Sequence, residues 1–136
     1  MRSARSADCR GKCGSDTGAL TLSYVIIVPV FLMAVMVIAQ ASLWFLARQA
    51  ALAAARQGAN AARVTGAPAG AGPGAALAFA RSAASGYLLG PSATGAGSTA
   101  ATIQIRVTGQ VPSIVPGLVV KVTEAAQAPV EKFAAP

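Results

Sequence analysis

No charged side chain lies between Thr17 and Ala47, and this gap limits what the chain can fold into more than any other feature. Its most apolar part, Leu20–Leu46, reads LTLSYVIIVPVFLMAVMVIAQASLWFL. About 20 apolar residues suffice for a helix to cross a bilayer, so this run spans one with some tilt or overhang. Burying it in a soluble domain would take a shell of protein that a 136-residue chain hardly possesses. Pro29 has no N–H to offer the Val25 carbonyl, so a mild kink is expected there. Arg2, Arg5, Arg10 and Lys12 precede the run, and Arg48, Arg56 and Arg63 follow it. The positive-inside bias, four against three, favours a cytoplasmic N-terminus. A cleaved secretory signal is the competing reading, with Ala39-Gln40-Ala41 as its cleavage site. Against it, secretory apolar cores run about 7–15 residues, and here Leu43-Trp44-Phe45-Leu46 continues past that site. Trp44 also suits a membrane–water interface.

The helical pattern does not stop with the apolar run. ARQAALAAARQGANAARVTG follows, rich in Ala and Arg, without proline until Pro68 and with Gly66 as a stop. One helix from about 19 to 64 is expected, divided into a transmembrane part (19–47) and an extramembrane continuation (48–64). At 100° per residue, Arg48, Gln49, Arg56, Gln57, Asn60 and Arg63 share one side of that continuation. Ala50, Ala51, Ala54, Ala55, Gly58, Ala61 and Ala62 form the other, a smooth face rather than an oily one. Small residues let helix backbones approach closely. Ala54, Gly58, Ala61 and Ala62 are therefore candidate packing positions against a second copy or a sister helix. An ordinary exposed helix in an alanine-rich chain accounts for the same pattern.

Residues 65–136 read as a small exported tail. GAPAGAGP (66–73) is a linker by composition, and 74–87 a short helix with Leu77, Ala80 and Ala84 on one face. A second flexible stretch covers 90–98. TIQIRVT then alternates, with Ile103, Ile105 and Val107 on one side. GLVVKVTE repeats the pattern through Leu118, Val120 and Val122. GQVPSIVP between them, with two prolines, predicts a wide connection. Two strands alone are marginal, so a helix or a partner must cover their apolar face. The expected class is a membrane protein of α+β type: one long N-terminal transmembrane helix extending beyond the membrane, a short helix and a two-stranded antiparallel element. Residues 1–18 form a basic leader.

Composition argues against most chemistry. The net charge is +7, but the basic residues are scattered and no dense patch is interleaved with aromatics, which disfavours nucleic acid as a partner. Attraction to anionic headgroups of the lipid bilayer explains the charge more cheaply. Cys9 and Cys13 both precede the apolar run, so the tail has no disulfide framework. With no histidine, two cysteines fall short of the roughly four ligands of a zinc site, and no cofactor or metal is expected. Beyond residue 18 the only carboxylates are Glu124 and Glu131, which no motif joins into a general acid–base pair. A Ser–Lys pair would have to use Lys121, which alternates outward on its strand. The chain reads as no enzyme.

Several of these elements occur in a recognisable order. A short basic leader ends in Gly18, Ala19-Leu20-Thr21-Leu22-Ser23 follows, and the apolar run contains Pro29 and ends in Gln40 and an aromatic. The helix QAALAAARQGANAARV comes next. In this, residues 14–64 resemble TadE-like proteins, the minor pseudopilins of Flp (tight-adherence) pilus systems; the tail segment VTGQVPSIVPGLVVKVTEAAQAP is similar to their strand pair. The resemblance implies removal of the leader between Gly18 and Ala19 by a prepilin peptidase on the cytoplasmic side. It also implies a non-catalytic, single-pass protein of the bacterial cell membrane, its tail extracytoplasmic and its partners other pilus assembly subunits. One position departs from the family pattern: five residues after the glycine, where a glutamate associated with subunit assembly is usual, stands Ser23. A membrane-tethered envelope binding module with an uncleaved signal anchor is the alternative.

Overall fold

Long stretches of Leu, Ile, Val, Met and Ala at the start, then Ala and Arg, give the chain one dominant helix. The computed structural model describes residues 16–115 and 117–131, with side chains from Ser23 onward. Most of the leader, including Cys9 and Cys13, thus lies outside the described residues. Helix α1 runs Asp16–Ala62 and includes Pro29. It ends two residues before the expected Val64, and Gly66 follows at φ 79°. Two compact units divide at Met36 and Val37.

In the first unit, Ser23–Met36 is exposed residue by residue around the whole helix, with large side chains such as Ile26, Phe31 and Met33 in the open. Among the described residues, Ser23–Ala62 is the one helical stretch long and apolar enough to cross a membrane, its apolar window having a mean hydropathy of 2.5.

The second unit begins with the remaining part of α1. Helix α2 spans Ala71–Ala83, and the strands are β1 (Leu89–Thr94), β2 (Thr102–Val111) and β3 (Val120–Pro129). They form one antiparallel sheet in the order β1-β2-β3. The sheet therefore has three strands rather than the expected two. The additional strand, LGPSAT, carries Gly90 and Pro91, which read as breakers. Both are accommodated at the edge: the β1–β2 register shifts between Leu89 and Ser92, and Gly90 takes φ 56°. An edge strand with a bulge tolerates proline because no ladder bond is lost there.

Helix α2 also begins earlier than expected, inside the stretch read as a linker, and ends four residues sooner. Pro73 lies in its first turn, where a missing N–H would have had no helical partner anyway. Strand β3 is shifted later: Leu118 lies in the connection, while the strand continues through Glu124-Ala125-Ala126-Gln127-Ala128-Pro129, paired with β2 along its length. Pairing with a neighbour has overridden the poor strand propensity of alanine.

The core lies between the sheet and the two helices. Ile105, Val107 and Val111 of β2 and Val122 and Ala128 of β3 point inward, alternating with exposed neighbours. From α1 they meet Ala47, Ala51, Ala54, Ala55 and Ala59, and from α2 Ala76 and Ala80, with Ala84 just beyond its end. The helices thus cover the apolar face of the strands. Leu88, with Ile105 and Val107 among the largest fully buried side chains, caps Gly109, where a Cβ would lie 2.5 Å from Leu88 Cδ1.

Candidate functional site

The smooth face of α1 is packed inside the second unit. Ala47, Ala51, Ala54 and Gly58 recur every three or four residues and are buried with Ala55 and Ala59, while Arg56, Gln57 and Asn60 lie in solvent. Of the four candidate packing positions, Ala54 and Gly58 are buried and Ala61 and Ala62 half-buried. Gly58 is the closest approach: a Cβ there would lie 2.6 Å from the Gly72 carbonyl oxygen, 2.9 Å from Ala76 Cβ and 3.1 Å from Ile105 Cγ2. Gly72 answers from α2, where a Cβ would meet Ala62 Cβ at 2.9 Å. Two glycines thus let the α1 and α2 backbones nearly touch, with β2 beneath both.

The two carboxylates of the tail are engaged by Arg48 of α1 and by Arg63, one residue past its end. Glu124 Oε1 lies 2.5 Å from Arg48 Nε, and Glu131 Oε1 lies 3.4 Å from Arg63 Nε. The Glu131 N–H also donates to the Arg63 carbonyl at 3.1 Å, and the Thr65 hydroxyl donates to the Glu131 carbonyl at 2.6 Å. Arg48 to Arg63 is fifteen helical residues, a rise of about 22 Å. Glu124 to Glu131 is seven residues of extended chain, about 23 Å. These lengths agree, so β3 lies along α1 in the same direction, with one ion pair at mid-strand and the other two residues past its C-terminal end. Sequence reading noted both glutamates as too few for acid–base catalysis but did not find their partners. The matched spacing, fifteen on a helix against seven on a strand, was the available signal. Arg48 Cζ also sits 5.5 Å from the Trp44 ring centroid, a cation–π contact.

Because β2 is antiparallel to β3, it runs back along α1 toward the apolar run. Ile105 meets the helix at Gly58, and Ile114, just past the end of β2, meets it at Gln40, where its N–H donates to Gln40 Oε1 at 3.0 Å. In the sequence Gln40 marks the end of the apolar pattern and the middle of the Ala39-Gln40-Ala41 triplet; in the fold it holds the β2–β3 connection. Its Nε2 is buried and has no hydrogen-bond partner among the described residues.

Gly18 and Ala19, the candidate processing positions, fall within α1, and Ser23 is exposed on it. Among the described residues no three His, Cys, Asp or Glu side chains gather as metal ligands. A hollow of about 380 Å³ near the α1–α2 connection is lined by Ala, Gly, Pro and Ile, with Ser98 as its one polar side chain.

These features define a class: a helix long and apolar enough to cross a membrane, continued into a small α+β tail whose two carboxylates pair with its own arginines. Residues 18–60, which cover the apolar run and most of the smooth face, match the family model described as TadE-like protein. That agrees with the resemblance carried by Gly18, Pro29, Gln40 and the Ala-Arg helix. The TadE-like family is a pilus-associated structural family. No curated protein and no solved structure matches the chain.

Proposed function

We propose that the chain is a single-pass, non-catalytic TadE-like pseudopilin acting in Flp-type pilus assembly or secretion. In this reading its N-terminus is cytoplasmic and its α+β tail extracytoplasmic. The observation that carries it is the exposure of Ser23–Ile38 around the whole circumference of α1. Water does not stabilise so much continuous apolar surface, and lipid does. The family match over 18–60 supports the pilus context. On this reading a prepilin peptidase removes residues 1–18, cutting between Gly18 and Ala19, and the freed helix enters the assembly complex.

A second reading, a membrane-tethered binding module with its leader retained, is favoured by Ser23, which stands where the pseudopilin pattern has glutamate. Intact mass and N-terminal sequencing of the protein extracted from membranes separate the two. A chain beginning at Ala19 supports the pseudopilin; one retaining the leader supports the plain anchor. Gly18→Leu should block removal, since a side chain there obstructs a peptidase reading backbone at that position. Wild type and variant both cleaved at the same place would rule out the assigned site.

A further inference from the structure

The connection between β2 and β3 holds Ile114, Val115, Leu118 and Val119 outward, and the Ile114 N–H ties it to Gln40 of α1. We propose that this loop, residues 112–119, rests in the interfacial layer of the bilayer, giving the tail a second contact with the membrane. The proposal rests on the reading of α1 as a membrane helix. From Val111 to Val120 the chain is VPSIVPGLVV, with no charge. Ile114, Val115, Leu118 and Val119 are exposed, Val119 to 65%. The loop is braced in this state. Ser113 Oγ donates to the Val115 carbonyl at 2.9 Å and accepts from the Val115 N–H at 3.2 Å, and the Leu118 N–H donates to the same carbonyl at 3.3 Å.

Its depth is set by Gln40. That residue, bonded to the Ile114 N–H, lies eight positions before Arg48, the first charge after the run, or about 12 Å along the helix. The Ile114 end of the loop therefore lies past Trp44, at a level where α1 itself exposes Val37 and Ile38. Loop and helix are both apolar and exposed at this level, and in the membrane reading α1 there faces lipid. As a helix, Leu20–Leu46 is about 40 Å long, some 10 Å more than a hydrocarbon core of about 30 Å. The surplus puts the outer end of the run, and the loop beside it, among the headgroups and upper acyl chains, where Trp44 is at home. Exposed Lys121, just past the loop, is placed to reach anionic headgroups.

The test uses the full chain carrying Cys9→Ser and Cys13→Ser, with a single cysteine at Val119, Ile27 or Ala96 bearing an environment-sensitive fluorophore. Each is reconstituted into phosphatidylcholine–phosphatidylglycerol vesicles. A nitroxide quencher near the lipid headgroup should remove most of the emission from Val119→Cys, a deep quencher that from Ile27→Cys, and neither that from Ala96→Cys. Aqueous, unquenched emission at Val119 with Ile27 quenched overturns the loop contact and leaves the membrane helix standing; the apolar tip would then belong to a protein partner. Unquenched Ile27 overturns the membrane reading and the loop proposal with it.

Discussion

Gly58 sits where α1 meets α2 and β2 at once, and two opposing effects act on its replacement. A glycine inside a helix costs about 1 kcal/mol relative to alanine, so Gly58→Ala on a free helix would stabilise. Here the new Cβ would lie 2.6 Å from a carbonyl oxygen, a backbone atom that cannot rotate away. Overpacking costs about 1–3 kcal/mol, and the steric effect wins. Gly58→Ala should lower the stability of the tail by about 1 kcal/mol, Gly58→Leu should do so more severely, and Gln57→Leu on the exposed side should stay within about 0.5 kcal/mol. Urea unfolding of the detergent-solubilised chain, followed by Trp44 fluorescence, measures all three. A stabilised Gly58→Ala would mean that α1 and α2 stand further apart than the structure has them. The sequence made the smooth face legible, down to which residues share it, because a 3.6-residue period needs no knowledge of the neighbour. What covers the face was not legible. Alanine and glycine offer shape without chemistry, and a flat strip fits a sister helix as readily as the chain's own α2 and β2.

Strand β3 is tied to the long helix at its middle and just past its C-terminal end, and the Arg48–Glu124 pair is the better placed of the two attachments. Glu124 is on the inward face of β3 with only 18% of its side chain exposed, while Arg48 is about half exposed. An exposed pair is worth at most about 1 kcal/mol, but a reversed charge adds repulsion to the loss. Arg48→Glu should therefore loosen β3 from the helix, while the double exchange Arg48→Glu with Glu124→Arg should recover much of the stability. Limited proteolysis of the tail, together with the same urea titration, gives the coupling between the two positions. Additive single effects, with no recovery in the double exchange, would show that the pair does not hold the strand. Legibility at this scale followed the strength of the local pattern. Strand β2 was readable because Ile103, Ile105 and Val107 alternate cleanly. Strand β1 was missed because Gly90 and Pro91 look like a turn and form an edge bulge instead. The start of α2 was missed because GAPAGAGP has a linker's composition, and its last residues become helix by packing against Gly58 and Ile105. In both cases tertiary contacts decided what local propensity left open.

For the molecule as a whole, the orientation of the helix decides whether the α+β tail meets envelope partners or cytoplasmic ones. Four basic residues before the run against three after it tilt the choice toward a cytoplasmic N-terminus. The margin is narrow, and the pseudopilin reading makes the same choice on independent grounds. Ala96 is a suitable reporter, since it lies exposed between β1 and β2, at the end of the sheet away from Gln40. In a chain carrying Cys9→Ser and Cys13→Ser, Ala96→Cys should react with a membrane-impermeant maleimide before the cells are lysed. A chain with its native Cys9 and Cys13, kept uncleaved by Gly18→Leu, supplies the opposite control and should react only after lysis. Reaction of Ala96→Cys only after lysis would place the tail in the cytoplasm and remove the basis for the pseudopilin role. Reaction of both chains before lysis would mean that the reagent crosses the membrane, so the pair is read together: the tail reactive from outside and the leader shielded is the pattern that a single outward crossing requires.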